Sequence, residues 1–185
     1  MRLVILGGAG AGKGTQAQLL CSKLSIPWIS TGDMLLNAIA SQTALGLQAK
    51  PYLDQGELVP DEIMIEFMRQ RLLQPDAQNG WLLDGYPRTA FQAEELDFLL
   101  DNLGQKLNKA IWLDVPESVM LTRSAQRGRL DDQPEIIQRR HVLFQERTIP
   151  ILEYYQPRQK LLQINGNQPP EQVHQDIWQK LFSNA

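Results

Sequence analysis

The 185-residue chain has one cysteine, Cys21, and two histidines, His141 and His174. One cysteine excludes an internal disulfide and a zinc site built from several thiolates. Cys21 reads as a small apolar residue of the first helix. Both histidines read as surface residues, and nothing in the pattern requires an imidazole base. No apolar run approaches the ~20 residues that a membrane helix needs. An excess of positive charge is also missing: 18 Lys and Arg face 21 Asp and Glu, for a net charge of −3. No overall basic field recruits nucleic acid. The first residues read as a strand, so no signal peptide is expected. A soluble, cytoplasmic protein is expected, acting as a monomer without membrane or nucleic-acid partners. Internal repeats and low-complexity linkers are missing too. The hydrophobic fraction of 43% supplies a core for one domain.

The chain does have a glycine run, Gly7-Gly8-Ala9-Gly10-Ala11-Gly12-Lys13-Gly14, followed by Thr15. Leu3 to Leu6 before it form a short apolar run with two β-branched residues, the mark of a buried strand. Residues 16–24 after it carry apolar residues at helical spacing. Strand, glycine loop and helix together make a phosphate cradle. Glycines let backbone N–H groups converge, the helix N-terminus adds partial positive charge, and Lys13 adds a full charge. The Thr15 hydroxyl can reach a magnesium ion held by the same phosphates. The strict motif has Ser or Thr directly after the lysine; here Gly14 intervenes.

Further strands are expected at 27–30, 81–84, 110–115 and 161–164. Helices are expected from about 31, at 45–53, 63–73, 91–103 and 117–127, over 134–155 with a kink near Pro150, and from about 170. This alternation predicts an α/β fold of three layers, α/β/α, around a five-stranded, mostly parallel sheet. Ligands then belong at the carboxyl ends of the strands. Three polar sequences fall there: the glycine loop, Ser30-Thr31-Gly32-Asp33, and Asp84-Gly85.

Asp84 ends an apolar strand and can hold a metal ion directly or through water; alone it could equally cap a turn. Six arginines lie between positions 123 and 147: Arg123, Arg127, Arg129, Arg139, Arg140 and Arg147. Arg123 and Arg127 share a helix face, and Arg140 and Arg147 have the spacing to do so. The bland reading is a solvated basic face. Beside a phosphate loop, the sharper reading is a clamp on a transferring phosphoryl group, because arginine's fork binds phosphate at two points and keeps its charge.

These segments in this order (GGAGAGKGTQ from Gly7, STGDML from Ser30, GELVPDE from Gly56, DGYPRTAFQ from Asp84, LDVP from Leu113, RLDD from Arg129) resemble the adenylate kinase family over nearly the whole chain. The resemblance implies magnesium-dependent, reversible transfer of the terminal phosphoryl group of ATP to AMP, giving two ADP. It implies an ATP site at Gly10, Ala11, Gly12, Lys13, Gly14 and Thr15, completed by Arg123, Arg127 and Gln168. AMP would meet Thr31, Glu57, Leu58, Val59, Gly85, Tyr86, Pro87, Arg88, Gln92, Arg129 and Arg140. The catalytic set would be Lys13, Arg88, Arg123, Arg129 and Arg140. Thr15 and Asp84 would hold magnesium through water, and zinc is not expected. The implied organisation is a core of residues 1–29, 60–126 and 134–185, an AMP-binding segment 30–59 and a very short lid 127–133.

Two features depart from the family pattern. Leu36 stands where an arginine is usual, and Gly128 alone separates Arg127 from Arg129. A kinase of the UMP/CMP type is the alternative enzyme, and a nucleotide-binding regulator without turnover the alternative of another class.

Overall fold

A computed structural model describes residues 1–126, 128 and 133–183. Strands β1 (Arg2–Leu6), β2 (Trp28–Ser30), β3 (Trp81–Asp84), β4 (Lys109–Asp114) and β5 (Leu161–Asn165) form one sheet in the order β2-β3-β1-β4-β5. Every pairing is parallel, where the sequence predicts a mostly parallel sheet.

Alternate side chains of a strand point to opposite faces, and β1 is buried on both. Leu3 and Ile5 pack with Ala17 and Leu20 of helix α1 (Lys13–Leu24) and with Val173 and Ile177 of α9 (Pro170–Phe182). Val4 and Leu6 share a core with Met68 of α4 (Asp61–Leu72), Leu96 and Leu100 of α5 (Ala90–Asn102), and Tyr155 of α8 (Pro150–Tyr155). The strand order puts β3 between β2 and β1. In register, Asp84 stands beside both Ser30 and Ile5, so the polar strand ends line up along one edge.

After β2 the chain forms a helical hairpin, α2 (Thr31–Ala40) and α3 (Ala44–Asp54). Side chains cap three helices at the expected kind of residue: Ser30 accepts from Asp33 N–H at 3.3 Å, Thr43 from Gly46 N–H at 3.1 Å, and Thr89 from Gln92 N–H at 3.1 Å. Helices α6 (Glu117–Gln126) and α7 (Pro134–Leu143) follow β4.

The irregularity expected near Pro150 is a π turn, Phe144–Thr148, just before it. Pro150 lacks an N–H and its ring crowds the preceding turn, which widens so that Ile149 N–H donates to the Phe144 carbonyl at 2.9 Å. A π turn adds a residue to the helical repeat and breaks the seven-residue spacing rule. Arg147 is accordingly exposed on the π turn.

His141 is not a surface residue. It is 7% exposed, with Nε2 3.1 Å from Glu117 Oε1, so it joins α7 to α6. His174 is half-buried in the helix that covers α1, and burial together with Lys23 pushes its pKa down.

Cys21 lies in the α1 core, and burial pushes its thiol up to about 11. Because the thiolate is the reactive form, alkylation at pH 8 should be slow in the folded protein and fast in denaturant. Equal rates under the two conditions would contradict this burial. Among the described residues, no helix is long and apolar enough to cross a membrane.

Candidate active site

The aligned strand ends open into one cleft of about 550 Å³. Its floor is the loop between β1 and α1. Gly10 and Gly12 take left-handed conformations, φ 80° and 93°. A side chain at Gly10 would overlap the Met120 carbonyl oxygen and come within 2.8 Å of Ser124 Oγ. Only glycine fits this close approach of loop to α6. Lys13 opens α1 and its Nζ donates to the Gly8 carbonyl at 3.0 Å, holding the ammonium over the loop. The α1 N-terminus faces the cleft, with Gly14 and Thr15 along its lining.

The second wall follows β3. Asp84 and Gly85 line the cleft, and Thr31 Oγ1 donates to the Asp84 carbonyl at 3.2 Å. Gly85 has φ 88°, and a side chain there would overlap Thr31 Oγ1. Arg88 is held at three points. Its N–H donates to Gln92 Oε1 at 2.8 Å, its Nε donates to the Gly85 carbonyl at 2.8 Å, and its carbonyl accepts from Thr148 Oγ1 at 2.9 Å. The π turn thus brings Thr148 onto the loop that carries Arg88. Gln92 is 2% exposed but still lines the cleft, and its Nε2 donates to Asp61 Oδ1 at 2.7 Å.

Thr31 and Leu36 from α2, and Glu57, Leu58 and Val59 after α3, line the far side. Glu57 accepts from Arg139 Nε at 2.6 Å, which links this segment to α7. Arg123 and Arg140 reach the cleft from α6 and α7, and Arg123 donates to the Gly166 carbonyl at 3.3 Å.

Not every residue named from sequence faces the cleft. Ala11 is buried under the loop at 2% exposure, beside the β1 core. The Tyr86 ring is buried, its hydroxyl donates to the Gln92 carbonyl at 3.3 Å, and burial pushes the phenol well up. Gln168 turns back onto α9, donating to Asp176 Oδ2 at 2.5 Å, and is not in the cleft lining. Arg127 and Arg129 lie outside the described residues. Asp61 and Thr148 were not foreseen, because their partners lie on other elements and no local spacing marks them.

A glycine loop at a helix N-terminus, a lysine, a strand-end carboxylate and three arginines on one cleft suit phosphoryl transfer. The family model described as adenylate kinase matches residues 5–160. The chain belongs to the adenylate kinase family. It is 62% identical over 182 residues to adenylate kinase 2 of Nostoc sp., covering 98% of this chain and 99% of that protein. It is 52% identical to adenylate kinase 2 of Synechocystis sp. over 98% and 100% of the two chains. It is 46% identical to the adenylate kinase of Thermobifida fusca over the full length of both. Family membership makes the chain a nucleotide-binding phosphotransferase acting between ATP and AMP.

Proposed function

We propose that the cleft holds two nucleotides end to end, ATP on the glycine loop and AMP against the β3–α5 loop. The observation that carries this reading is the single cleft that includes both Lys13 and Arg88, with Asp84 at the end of β3 in register beside Ile5 of β1, the strand that leads into the glycine loop. Gly10, Gly12, Lys13, Gly14 and Thr15 bind the donor phosphates, and Arg123 supports them from α6. Thr31, the backbone from Glu57 to Val59, the backbone from Gly85 to Pro87, Arg88 and Gln92 receive AMP. Arg88 and Arg140 grip the phosphates, with Arg127 and Arg129 completing the clamp from the short lid. Phosphoryl transfer needs positioning and charge more than covalent help, and arginine supplies both.

Thr15 and Asp84 offer oxygen donors at the cleft, the class of ligand that magnesium takes. Bound there with ATP, the ion supplies charge neutralisation on the phosphate oxygens. Residues 30–59 are the acceptor-binding segment and 127–133 the lid. The α2–α3 hairpin is a compact body, since any side chain at Gly46 would overlap the Ala38 backbone. Its closure over AMP excludes water that would compete for the phosphoryl group.

Steady-state rates with AMP, CMP, UMP and GMP as acceptors test the assignment. AMP is expected to be preferred, and preference for a pyrimidine would overturn it.

Leu36 is 44% exposed and lines the acceptor side. Leu36→Arg adds a charge-assisted hydrogen bond, worth about 1.5–3 kcal/mol. The KM for AMP should then fall by about 10- to 100-fold. An unchanged or higher KM would show that the contact is already replaced or cannot form.

A further inference from the structure

The Gln92 side chain is held at both ends by partners that cannot exchange roles. The Arg88 N–H is a donor, so the atom facing it at 2.8 Å must be the amide oxygen. Asp61 presents a carboxylate, an acceptor, so the atom facing it at 2.7 Å must be the amide nitrogen. Turning the amide over would set Oε1 against Asp61 Oδ1 and Nε2 against the Arg88 N–H, two like-with-like contacts in a side chain only 2% exposed. One N–H and one oxygen lone pair of the amide remain for a ligand.

We infer that Asp61 is the positioning residue that fixes the sense of the Gln92 amide and so makes the acceptor site refuse 6-oxopurine monophosphates. The inference rests on the placement of the acceptor base against Gln92 proposed above. Adenine offers an acceptor, N1, beside a donor, the 6-amino group, and an amide in the observed sense meets both. Hypoxanthine and guanine offer N1–H beside O6, the reverse order. To meet them the amide must turn over, which Asp61 opposes. A buried site built to pair one pattern rejects the reversed one because its polar groups are left unmatched. Asp61 opens α4 and Gln92 lies in the first turn of α5, so this selectivity is set by an element distinct from the one that carries Gln92.

The test compares kcat/KM for AMP and IMP in the wild type, Asp61→Asn, Asp61→Ala and Gln92→Ala, with Tm measured for each. Asparagine keeps the size of aspartate but can accept or donate, so it tolerates either sense of the glutamine. In Asp61→Asn, kcat/KM for IMP should rise about tenfold while that for AMP falls. Asp61→Ala should move the ratio in the same direction. A purely structural role would lower both substrates in parallel, and that result, or an unchanged ratio in both variants, overturns the inference. So does a wild-type enzyme that accepts IMP as readily as AMP. If Gln92→Ala loses discrimination while the Asp61 variants keep it, the lock alone fails. If Gln92→Ala leaves both the KM for AMP and the ratio at their wild-type values, the placement of the base fails and the lock fails with it.

Discussion

Replacing Lys13 with methionine is expected to lower kcat by about 10²–10³-fold, a loss of about 3–4 kcal/mol of transition-state stabilisation. Lys13 is the first residue of α1, and its Nζ is held over the loop at 3.0 Å from the Gly8 carbonyl. The helix N-terminus and the ammonium therefore act on the same small volume, where charge moves during transfer. Methionine keeps the length of the apolar stem and removes only the charge. The loop backbone can still bind phosphates through its N–H groups, so KM for ATP should change less than kcat. Steady-state kinetics with a thermal melt separates these effects. A kcat within tenfold of wild type at unchanged Tm would remove Lys13 from the transferring phosphate.

Arg88→Ala should be as damaging, with the loss in kcat/KM for AMP about 10²-fold or more. Three hydrogen bonds, to Gln92, Gly85 and Thr148, fix the backbone and guanidinium of this residue before any ligand arrives. Preorganisation of this kind makes a charged group effective, since little ordering remains to be done on binding. Arg88→Lys should restore little of the loss. An ammonium retains the charge but cannot grip two phosphate oxygens in one plane while keeping the Nε contact to the Gly85 carbonyl. Full activity in Arg88→Lys would show that charge alone is needed there.

The strands, the glycine loop and the carboxylate at Asp84 were legible because each is a local pattern: a run of apolar residues, a spacing, a position at a strand end. Parallel order followed from the alternation of strands and helices, and the sheet edge then gathered Thr31, Asp84 and the loop. What sequence could not convey was which side chains meet across elements. Gln92 and Asp61 are 31 positions apart and sit at the starts of different helices, so nothing in their spacing shows that they bond. His141 looked exposed because its helix carries many polar residues, yet the packing of α7 on α6 buries it against Glu117. Arg140 and Arg147 have the spacing of one helix face, and the π turn ahead of Pro150 separates them. Gln168 sits in a turn near the donor side, but an aspartate on the following helix takes its amide.

The central claim is that one cleft holds both nucleotides at once, with their phosphates meeting between Lys13 and Arg88. Two adenosines joined through five phosphates reproduce that joint occupancy in one molecule, and calorimetry gives both its stoichiometry and its affinity. The account predicts one molecule bound per chain, far more tightly than ATP or AMP alone, and displaced by either. Two molecules per chain, or displacement by ATP while AMP has no effect, would contradict it.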